Sequence, residues 1–171
     1  EQMLQRLRYV FERFRWAQLS CKAKKCELFC TSAGYLGHVV SRDGLKMDPK
    51  KISAVSDIDP TSINTLERVR SFVGLVSYYR KFIKGFAAMA IPLNDLTKEG
   101  VDVARESQSE SCQTAIIDLI AAVTSEPVLA LPKFDRGFIV KTDAAISEGI
   151  GGVLSQEDDE RKERVNAFYG R

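Results

Sequence analysis

One segment constrains the fold of this 171-residue chain more than any other, because residues 66–84 have the periodicity of an amphipathic helix with two distinct faces. At about 100° per residue, apolar side chains gather on one side and form a core-facing stripe. The members of this stripe are Leu66, Val69, Phe72, Val73, Val76, Tyr79 and Ile83. We therefore expect this helix to lie against a hydrophobic core.

The opposite side of the same predicted helix carries Arg70, Gly74 and Tyr78 at positions i, i+4 and i+8, with Lys81 beside them. A glycine inside a helix costs about 1 kcal/mol relative to alanine, so its presence indicates that another surface approaches the backbone closely. A nucleic acid suits this surface, since a cation and an aromatic ring flank the glycine. Packing of a second helix against Gly74 is the alternative, and the segment alone leaves both open.

Charge is distributed unevenly along the chain, although the formal net charge is only +2. The first 85 residues carry 16 Lys and Arg against 8 Asp and Glu, a net charge of +8. The remaining residues carry 9 against 15, a net charge of −6. This asymmetry predicts a front half that faces nucleic acid and a chemically different back half, with a merely solvated basic surface as the alternative.

The cysteines and the apolar runs bear on the cellular setting. No apolar run approaches the roughly 20 residues needed to span a bilayer, so we expect no membrane partner.

Cys26, Cys30 and the only histidine, His38, lack the paired spacing of a zinc site. We expect reduced thiols in an intracellular protein, either cytoplasmic or nuclear, and the start at Glu1 without methionine suggests a piece of something longer. The four thiols are Cys21, Cys26, Cys30 and Cys112.

The first half of the chain is predicted to contain a helix, a small sheet and further helices. Residues 2–18 have helical periodicity, and short β-type runs follow at 27–29, 34–40 and 45–47. An Asp-Gly turn signal separates the last two runs. Asp48-Pro49 begins a helix that should end before Asp59-Pro60. Asn64 and Glu67 resemble a capping box for the helix at 66–84, and Gly85 is its expected stop.

The second half is predicted to change from helices to strands. A short helix is expected at 87–97, beginning near Pro92, and a polar linker at 99–111. Residues 112–123 have helical periodicity, whereas 137–142, 149–156 and 165–169 alternate as strands do.

Several short motifs in this order and spacing resemble the Pol polyprotein of gypsy-type LTR retrotransposons, nearly from end to end. They lie at 35–44, 48–52, 69–83, 127–130, 142–144 and 149–156. The resemblance implies an α+β fold with a palm-derived β-hairpin, a helical thumb and a truncated RNase H-like sheet. The implied boundaries are 1–47 for the end of the reverse transcriptase palm, 48–98 for the thumb, 99–126 for a linker and helix, and 127–171 for the first RNase H-like strands.

The resemblance also implies where nucleic acid binds. The family's primer grip, which holds the primer 3′ end, corresponds to Tyr35, Leu36, Gly37 and His38, here called the grip turn. The family's thumb helix lies in the minor groove of the template–primer duplex. Arg70, Gly74 and Tyr78, here called the thumb face, fall on its groove-tracking side together with Lys81. The implied partners are an RNA–DNA or DNA duplex and the remainder of Pol, and the oligomeric state stays open.

Asp143 is the candidate catalytic and metal-binding residue. It follows a hydrophobic strand at 138–142, where an aspartate by itself is more often a turn or cap residue. In the RNase H fold, the matching aspartate helps to bind two divalent cations, and Mg²⁺ suits carboxylate and water ligands. The pair Asp158-Asp159 lies in a charged turn and is interpreted as solvated surface.

Some features of the family are missing or altered here. The polymerase aspartate pair and the further RNase H carboxylates are absent, so we expect this chain alone to lack both activities of its parent, RNA-directed DNA synthesis and ribonuclease H cleavage. Residues 101–105 replace an aromatic-x-Trp element, residues 165–169 replace a Pro-Ile-Ala-Tyr strand, and the loop within 142–149 is one residue longer. Two alternatives stay open: a non-catalytic nucleic-acid-binding module, domesticated or degenerate, and a protein–protein adaptor.

Overall fold

A computed structural model describes residues 1–125, 127–145 and 149–170, with only the backbone described at position 145. The chain divides into two compact units, residues 1–33 and 34–171. None of the helices in the described ranges has an apolar stretch long enough to cross a membrane.

The first unit contains helix α1 (Gln2–Trp16) and a 3-10 turn at Ala23–Lys25. The helix confirms the prediction for this segment, although the arginines and the apolar residues of α1 are all at least partly exposed. The β-type run predicted at 27–29 is wrong. Phe29 adopts a φ of 61°, and this left-handed conformation is incompatible with an extended strand.

A three-stranded sheet follows in the order β1 (Ser32–Tyr35), β2 (His38–Ser41) and β3 (Gly44–Met47), and β1 begins just before the boundary between the two units. The run predicted as one strand at 34–40 is therefore two strands, separated by Leu36 and Gly37. The hairpin predicted between 40 and 45 is confirmed, because β2 and β3 pair antiparallel with Ser41 opposite Gly44.

Two helices follow the sheet. Helix α2 (Pro49–Ser56) begins as predicted, with the side chain of Asp48 accepting a hydrogen bond from the backbone N–H of Lys50 at 2.9 Å. A 3-10 turn at Pro60–Ser62 leads to α3 (Leu66–Ser77). Helix α3 is capped by Thr65, whose hydroxyl accepts from the N–H of Arg68, and not by the predicted Asn64.

The predicted helix at 66–84 is too long, because α3 ends at Ser77 and a 3-10 turn at Arg80–Phe82 follows. The amide of Tyr79 bonds to the carbonyl of Val76 at 3.0 Å, three residues back, and that of Phe82 bonds to Tyr79 at 2.9 Å. These tighter bonds replace the four-residue spacing of an α-helix.

Helix α4 (Phe86–Asp95) starts after Gly85, whose φ of 71° is left-handed. Pro92 lies inside this helix and not at its beginning, contrary to the prediction. The predicted linker contains a short helix, α5 (Val103–Glu106), and the predicted helix at 112–123 is confirmed as α6 (Glu110–Thr124).

The hydrophobic core lies among α2, α3, α4 and α6. Most of the apolar stripe predicted for residues 66–84 is buried. The buried members are Val69, Phe72, Val76, Tyr79 and Ile83, and the half-buried ones are Leu66 and Val73. The inward residues of α6 that meet them are Cys112, Ala115, Ile116, Leu119 and Val123. The apolar face predicted for the central helix is thus the one that the structure buries.

The last element is an antiparallel sheet of β4 (Ile139–Ala145), β5 (Gly149–Glu157) and β6 (Glu163–Gly170), in that order. These strands confirm the three predicted in the second half. Strand β6 packs against α4 and the 3-10 turn at Arg80–Phe82, and Val165 and Phe168 extend the core. The observed architecture is the α+β arrangement of hairpin, helical region and second sheet that the sequence predicts.

Candidate nucleic-acid interface

The glycine of the thumb face lies on open surface. Arg70 and Gly74 are both exposed on α3. Apart from its chain neighbours and the adjoining backbone of α3, a Cβ atom built at Gly74 would meet no heavy atom within 4 Å in the part of the chain that the structure describes. Helix–helix packing, the alternative reason for a glycine here, is therefore not observed at this position within the described ranges.

Tyr78 follows directly on α3 as its C-cap residue, with helical φ and ψ angles of −60° and −31°. Its side chain is 52% exposed, so part of the ring faces solvent beside the open glycine. Its hydroxyl group donates a hydrogen bond to the carbonyl oxygen of Leu36 at 2.5 Å. The end of the thumb face is thus joined directly to the grip turn.

The grip turn has a tight two-residue geometry. Leu36 and Gly37, the residues between β1 and β2, have φ values of 47° and 67°, and positive φ at both central positions is typical of a type I′ hairpin turn. The side chains of Tyr35 and Leu36 are 66% and 67% exposed. The backbone carbonyl oxygens of Leu36 and Gly37, by contrast, both accept hydrogen bonds from other groups of the protein.

His38 packs among aromatic rings beneath this turn. Its Nδ1 atom donates to the carbonyl of Leu36 at 2.6 Å, because a carbonyl oxygen can only accept. Its ring centroid lies 5.4 Å from that of Tyr78, 5.8 Å from Tyr79 and 5.6 Å from Phe82. The Nε2 atom is buried and has no hydrogen-bond partner among the described residues. The imidazole of His38 therefore supports the turn from inside.

Two further groups border this aromatic cluster. The hydroxyl of Tyr79 donates to the carbonyl of Gly37 at 3.3 Å. Burial raises the pKa of Tyr79, and Tyr78 and Asp48 act in the same direction, so the hydroxyl stays a proton donor at neutral pH. Lys81 is half-buried with its Nζ 5.4 Å from the centroid of the Phe82 ring, and burial lowers the pKa of this ammonium group.

Asp143 lies elsewhere, within β4 and opposite Gly151 of β5. The strand was predicted to end at residue 142, but pairing continues as far as Ala145 opposite Gly149. The side chain of Asp143 is exposed and lines a cleft of about 110 Å³ between the first turn of α4 and the second sheet.

The Asp158-Asp159 pair belongs to the turn between β5 and β6. Asp158 accepts hydrogen bonds from the backbone N–H groups of Glu160 and Lys162, each at 2.9 Å. Asp159 forms an ion pair with Arg136 at 2.7 Å. Asp159 is exposed, as predicted for solvated surface, whereas Asp158 is half-buried and stabilises the turn.

Comparison with known proteins places this architecture in a family. The family described as "RNase H-like domain found in reverse transcriptase" matches residues 109–171. The retrovirus-related Pol polyprotein from transposon opus of Drosophila melanogaster is 37% identical over 174 aligned residues, which cover 96% of this chain and 17% of that protein. The corresponding polyprotein from transposon gypsy is 40% identical and covers 82% of this chain and 14% of that protein.

The chain belongs to the gypsy-type retrotransposon Pol polyproteins. It corresponds to their reverse transcriptase and RNase H-like region, and it spans about a sixth of the length of these curated relatives. An uncharacterized mitochondrial protein of Arabidopsis thaliana is also similar, with 35% identity over 72% of this chain and 76% of that protein.

Solved structures agree with this Pol assignment at the level of the fold. The foamy viral protease-reverse transcriptase in complex with double-stranded DNA superposes with a TM-score of 0.76 over 99% of this chain and 29% of that chain, at 20% identity. The same viral protein in complex with an RNA/DNA hybrid also gives a TM-score of 0.76, with 22% of its chain covered.

Reverse transcriptase and RNase H-like families generally use divalent metal ions. Within residues 1–125, 127–145 and 149–170, no three His, Cys, Asp or Glu side chains cluster closely enough to hold a metal ion. Asp143 supplies a single exposed carboxylate, so the described residues do not by themselves fit the two-metal site that the resemblance implies. The longer loop predicted after Asp143 involves residues 146–148, which lie outside the described residues.

The structure brings together the grip turn and Tyr78, and it leaves Asp143 in a separate cleft. The helical period assigns Tyr79 only to the core and gives Phe82 no part in the site. Both support the grip turn through His38 or Gly37. The adjacent aromatic residues at 78, 79 and 82 were the available signal, but their partners lie about 40 residues earlier, and helical periodicity cannot indicate such contacts.

Proposed function

We propose that this region of Pol grips a template–primer duplex through the thumb face and the grip turn. The longer polyprotein would carry out RNA-directed DNA synthesis and hydrolysis of the RNA strand in RNA–DNA hybrids. The observation that carries the proposal is the open surface at Gly74, which is flanked by the exposed Arg70 and the half-exposed ring of Tyr78.

Each of the three side chains has a distinct part in this contact. The guanidinium group of Arg70 would pair with phosphate oxygens, which it can contact in a bidentate manner. Gly74 would let the sugar–phosphate backbone approach the helix, and the ring of Tyr78 would pack on a sugar. Contacts of this kind recognise groove shape and backbone and carry no base sequence, as a protein that moves along any template requires.

Two further observations support the proposal. The foamy viral protease-reverse transcriptase, which shares this fold, was solved in complex with double-stranded DNA and with an RNA/DNA hybrid. The basic half of this chain, residues 1–85, contains both the thumb face and the grip turn. A net positive charge on that half favours association with a polyanion.

Fluorescence anisotropy with a labelled RNA–DNA hybrid and with double-stranded DNA tests this function in the full 171-residue chain. We expect salt-dependent binding of both duplexes, with a Kd that rises steeply with ionic strength. Arg70→Ala should weaken binding to every duplex sequence and reduce the slope of log K against log salt by about 1. Arg105→Ala, which removes an exposed arginine from α5 in the acidic half, is the charge-matched control.

A second variant tests the surface at Gly74 without changing charge. Leucine is a good helix former, so Gly74→Leu should keep α3 intact while its side chain occupies the space that the duplex needs. We expect Gly74→Leu to weaken duplex binding without lowering the melting temperature. Equal affinity of the Gly74→Leu variant and the unmodified chain would contradict the proposed interface.

We further propose that Asp143 contributes one carboxylate to a Mg²⁺ site that other parts of the longer polyprotein complete. An exposed carboxylate at the rim of a cleft is a suitable hard ligand for Mg²⁺. The substrate in that case is the RNA strand of a hybrid, and the remainder of Pol is a required partner.

A further inference from the structure

The backbone conformation of the grip turn needs support from outside the hairpin. Leu36 has a φ of 47°, in the left-handed region that non-glycine residues adopt infrequently. Asn or Asp commonly takes such a position because a short polar side chain can bond locally, whereas leucine has no such group. Other contacts must therefore keep residue 36 in this conformation.

The contacts that do so converge on two carbonyl oxygens. The carbonyl of Leu36 accepts from the Tyr78 hydroxyl at 2.5 Å and from His38 Nδ1 at 2.6 Å. The carbonyl of Gly37 accepts from the Tyr79 hydroxyl at 3.3 Å and from the backbone N–H of Asp48 at 3.1 Å. Two of these four donors are side chains 42 residues away in sequence.

Close packing accompanies these hydrogen bonds. A Cβ atom at Gly37 would lie 3.3 Å from Cε1 of Tyr78 and 3.3 Å from the hydroxyl oxygen of Tyr79. Below the turn, the ring of His38 is stacked on Phe82 with an interplanar angle of 20°. The turn is thus pressed against the end of α3 and the 3-10 turn that follows.

We infer that Tyr78 and Tyr79 are positioning residues, which hold the grip turn on the end of α3 so that the turn and the thumb face contact a duplex as one rigid surface. The inference rests on the proposed function and adds a role to it. The side chains of Tyr35 and Leu36 stay exposed, where the primer strand can contact them. The carbonyl oxygens of residues 36 and 37 accept hydrogen bonds from within the protein. The hydroxyl of Tyr78 therefore acts on the turn, and only its ring is left to face the duplex.

The test compares Tyr78→Phe with the unmodified 171-residue chain, because this change removes one hydroxyl group and keeps the ring. Tyr169→Phe is the matched control, since Tyr169 is a half-exposed tyrosine of β6 outside the proposed interface. Two quantities are measured: the Kd for a labelled RNA–DNA hybrid and the ¹³C chemical shift of the Leu36 carbonyl, which reports its hydrogen bonds.

We expect Tyr78→Phe to raise the Kd by about fivefold, the scale of one hydrogen bond, and to move the Leu36 carbonyl resonance upfield. We expect neither change in Tyr169→Phe, and melting temperatures of both variants close to that of the unmodified chain. Tyr79→Phe should act in the same direction on the Gly37 carbonyl.

The failing outcomes are separable. If the unmodified chain binds no duplex, the proposed function fails and the positioning role falls with it. If the unmodified chain binds and Tyr78→Phe binds equally well, the positioning role alone is overturned. An unchanged Leu36 carbonyl resonance in Tyr78→Phe also overturns it, because the hydroxyl would then not hold the turn.

Discussion

Leu45 and Leu129 exchange both of their backbone hydrogen bonds, at 2.8 Å and 3.0 Å, and form an isolated antiparallel bridge. The bridge joins strand β3 of the hairpin to the segment that follows α6, and Leu129 is 2% exposed. The β2–β3 hairpin and the segment between α6 and the second sheet are therefore connected directly through their backbones.

This bridge predicts a strong effect of Gly44→Ala on stability. Gly44 has a φ of 136°, a conformation that L-residues rarely adopt, and a Cβ atom there would overlap the carbonyl oxygen of Leu129. We expect the free energy of unfolding to fall by about 2–3 kcal/mol, as measured by urea denaturation. Gly137→Ala is the control, since a Cβ at Gly137 meets no described atom within 4 Å, and comparable losses in both variants would contradict the argument.

Gly74→Ala is predicted to increase stability. Gly74 lies inside α3 with open space around it, so alanine should add helix propensity of up to about 1 kcal/mol without a clash. Thermal unfolding of the isolated chain measures this. A lowered melting temperature would mean that another part of the protein packs against the glycine, and the duplex interface would lose its main support.

Acid should destabilise the turn between β5 and β6 through Asp158. Backbone hydrogen bonds from Lys162 and Glu160, together with the side chain of Arg164, hold the pKa of Asp158 below its usual value. A carboxylate whose pKa is lowered by folding contributes stability above its unfolded pKa of about 4, and this contribution is lost as pH falls through the folded pKa. Melting temperatures measured from pH 7 to pH 2 should therefore fall less steeply in Asp158→Ala than in the unmodified chain.

The control for the pH series is Asp118→Ala, which removes an exposed carboxylate of α6 outside this turn. If Asp158→Ala and the unmodified chain lose stability in parallel, the hydrogen bonds to Asp158 do not contribute to folding.

Asp143→Asn is predicted to separate the two activities that we propose for the longer polyprotein. Cleavage of RNA in a hybrid should fall at least about 100-fold, since even residues that only orient metal ligands contribute about 10–100-fold. Primer extension should change little, because Asp143 lies in the second sheet and outside the grip turn and the thumb face. Asp135→Asn is the control for an exposed aspartate of the preceding segment, and retained RNA cleavage in Asp143→Asn would refute its role as a metal ligand.

Much of the fold follows from local sequence patterns. Helices α1 and α6 and the strands of the second sheet are predicted by hydrophobic periodicity. Helix α6 buries its regular set of apolar residues and the strands pair theirs, whereas α1 follows the helical period without burying a residue. Asp48 predicts the start of α2 because its side chain caps a neighbouring amide. The candidate site is predictable only in part: the exposure of Arg70 and Gly74 follows from the helical period, whereas the bond from Tyr78 to Leu36 does not.

The amino-acid sequence by itself determined the buried face of α3, the three strands of the second sheet, and the resemblance to Pol, since all three depend on residue type and spacing along the chain. Only the tertiary structure decided that residues 34–40 form two strands, that α3 ends at Ser77, and that Pro92 lies within α4. The physical reason at the grip turn is a contact between residues far apart in sequence. The left-handed conformation of Leu36 depends on hydroxyl groups 42 residues away, and no local propensity encodes a contact at that distance.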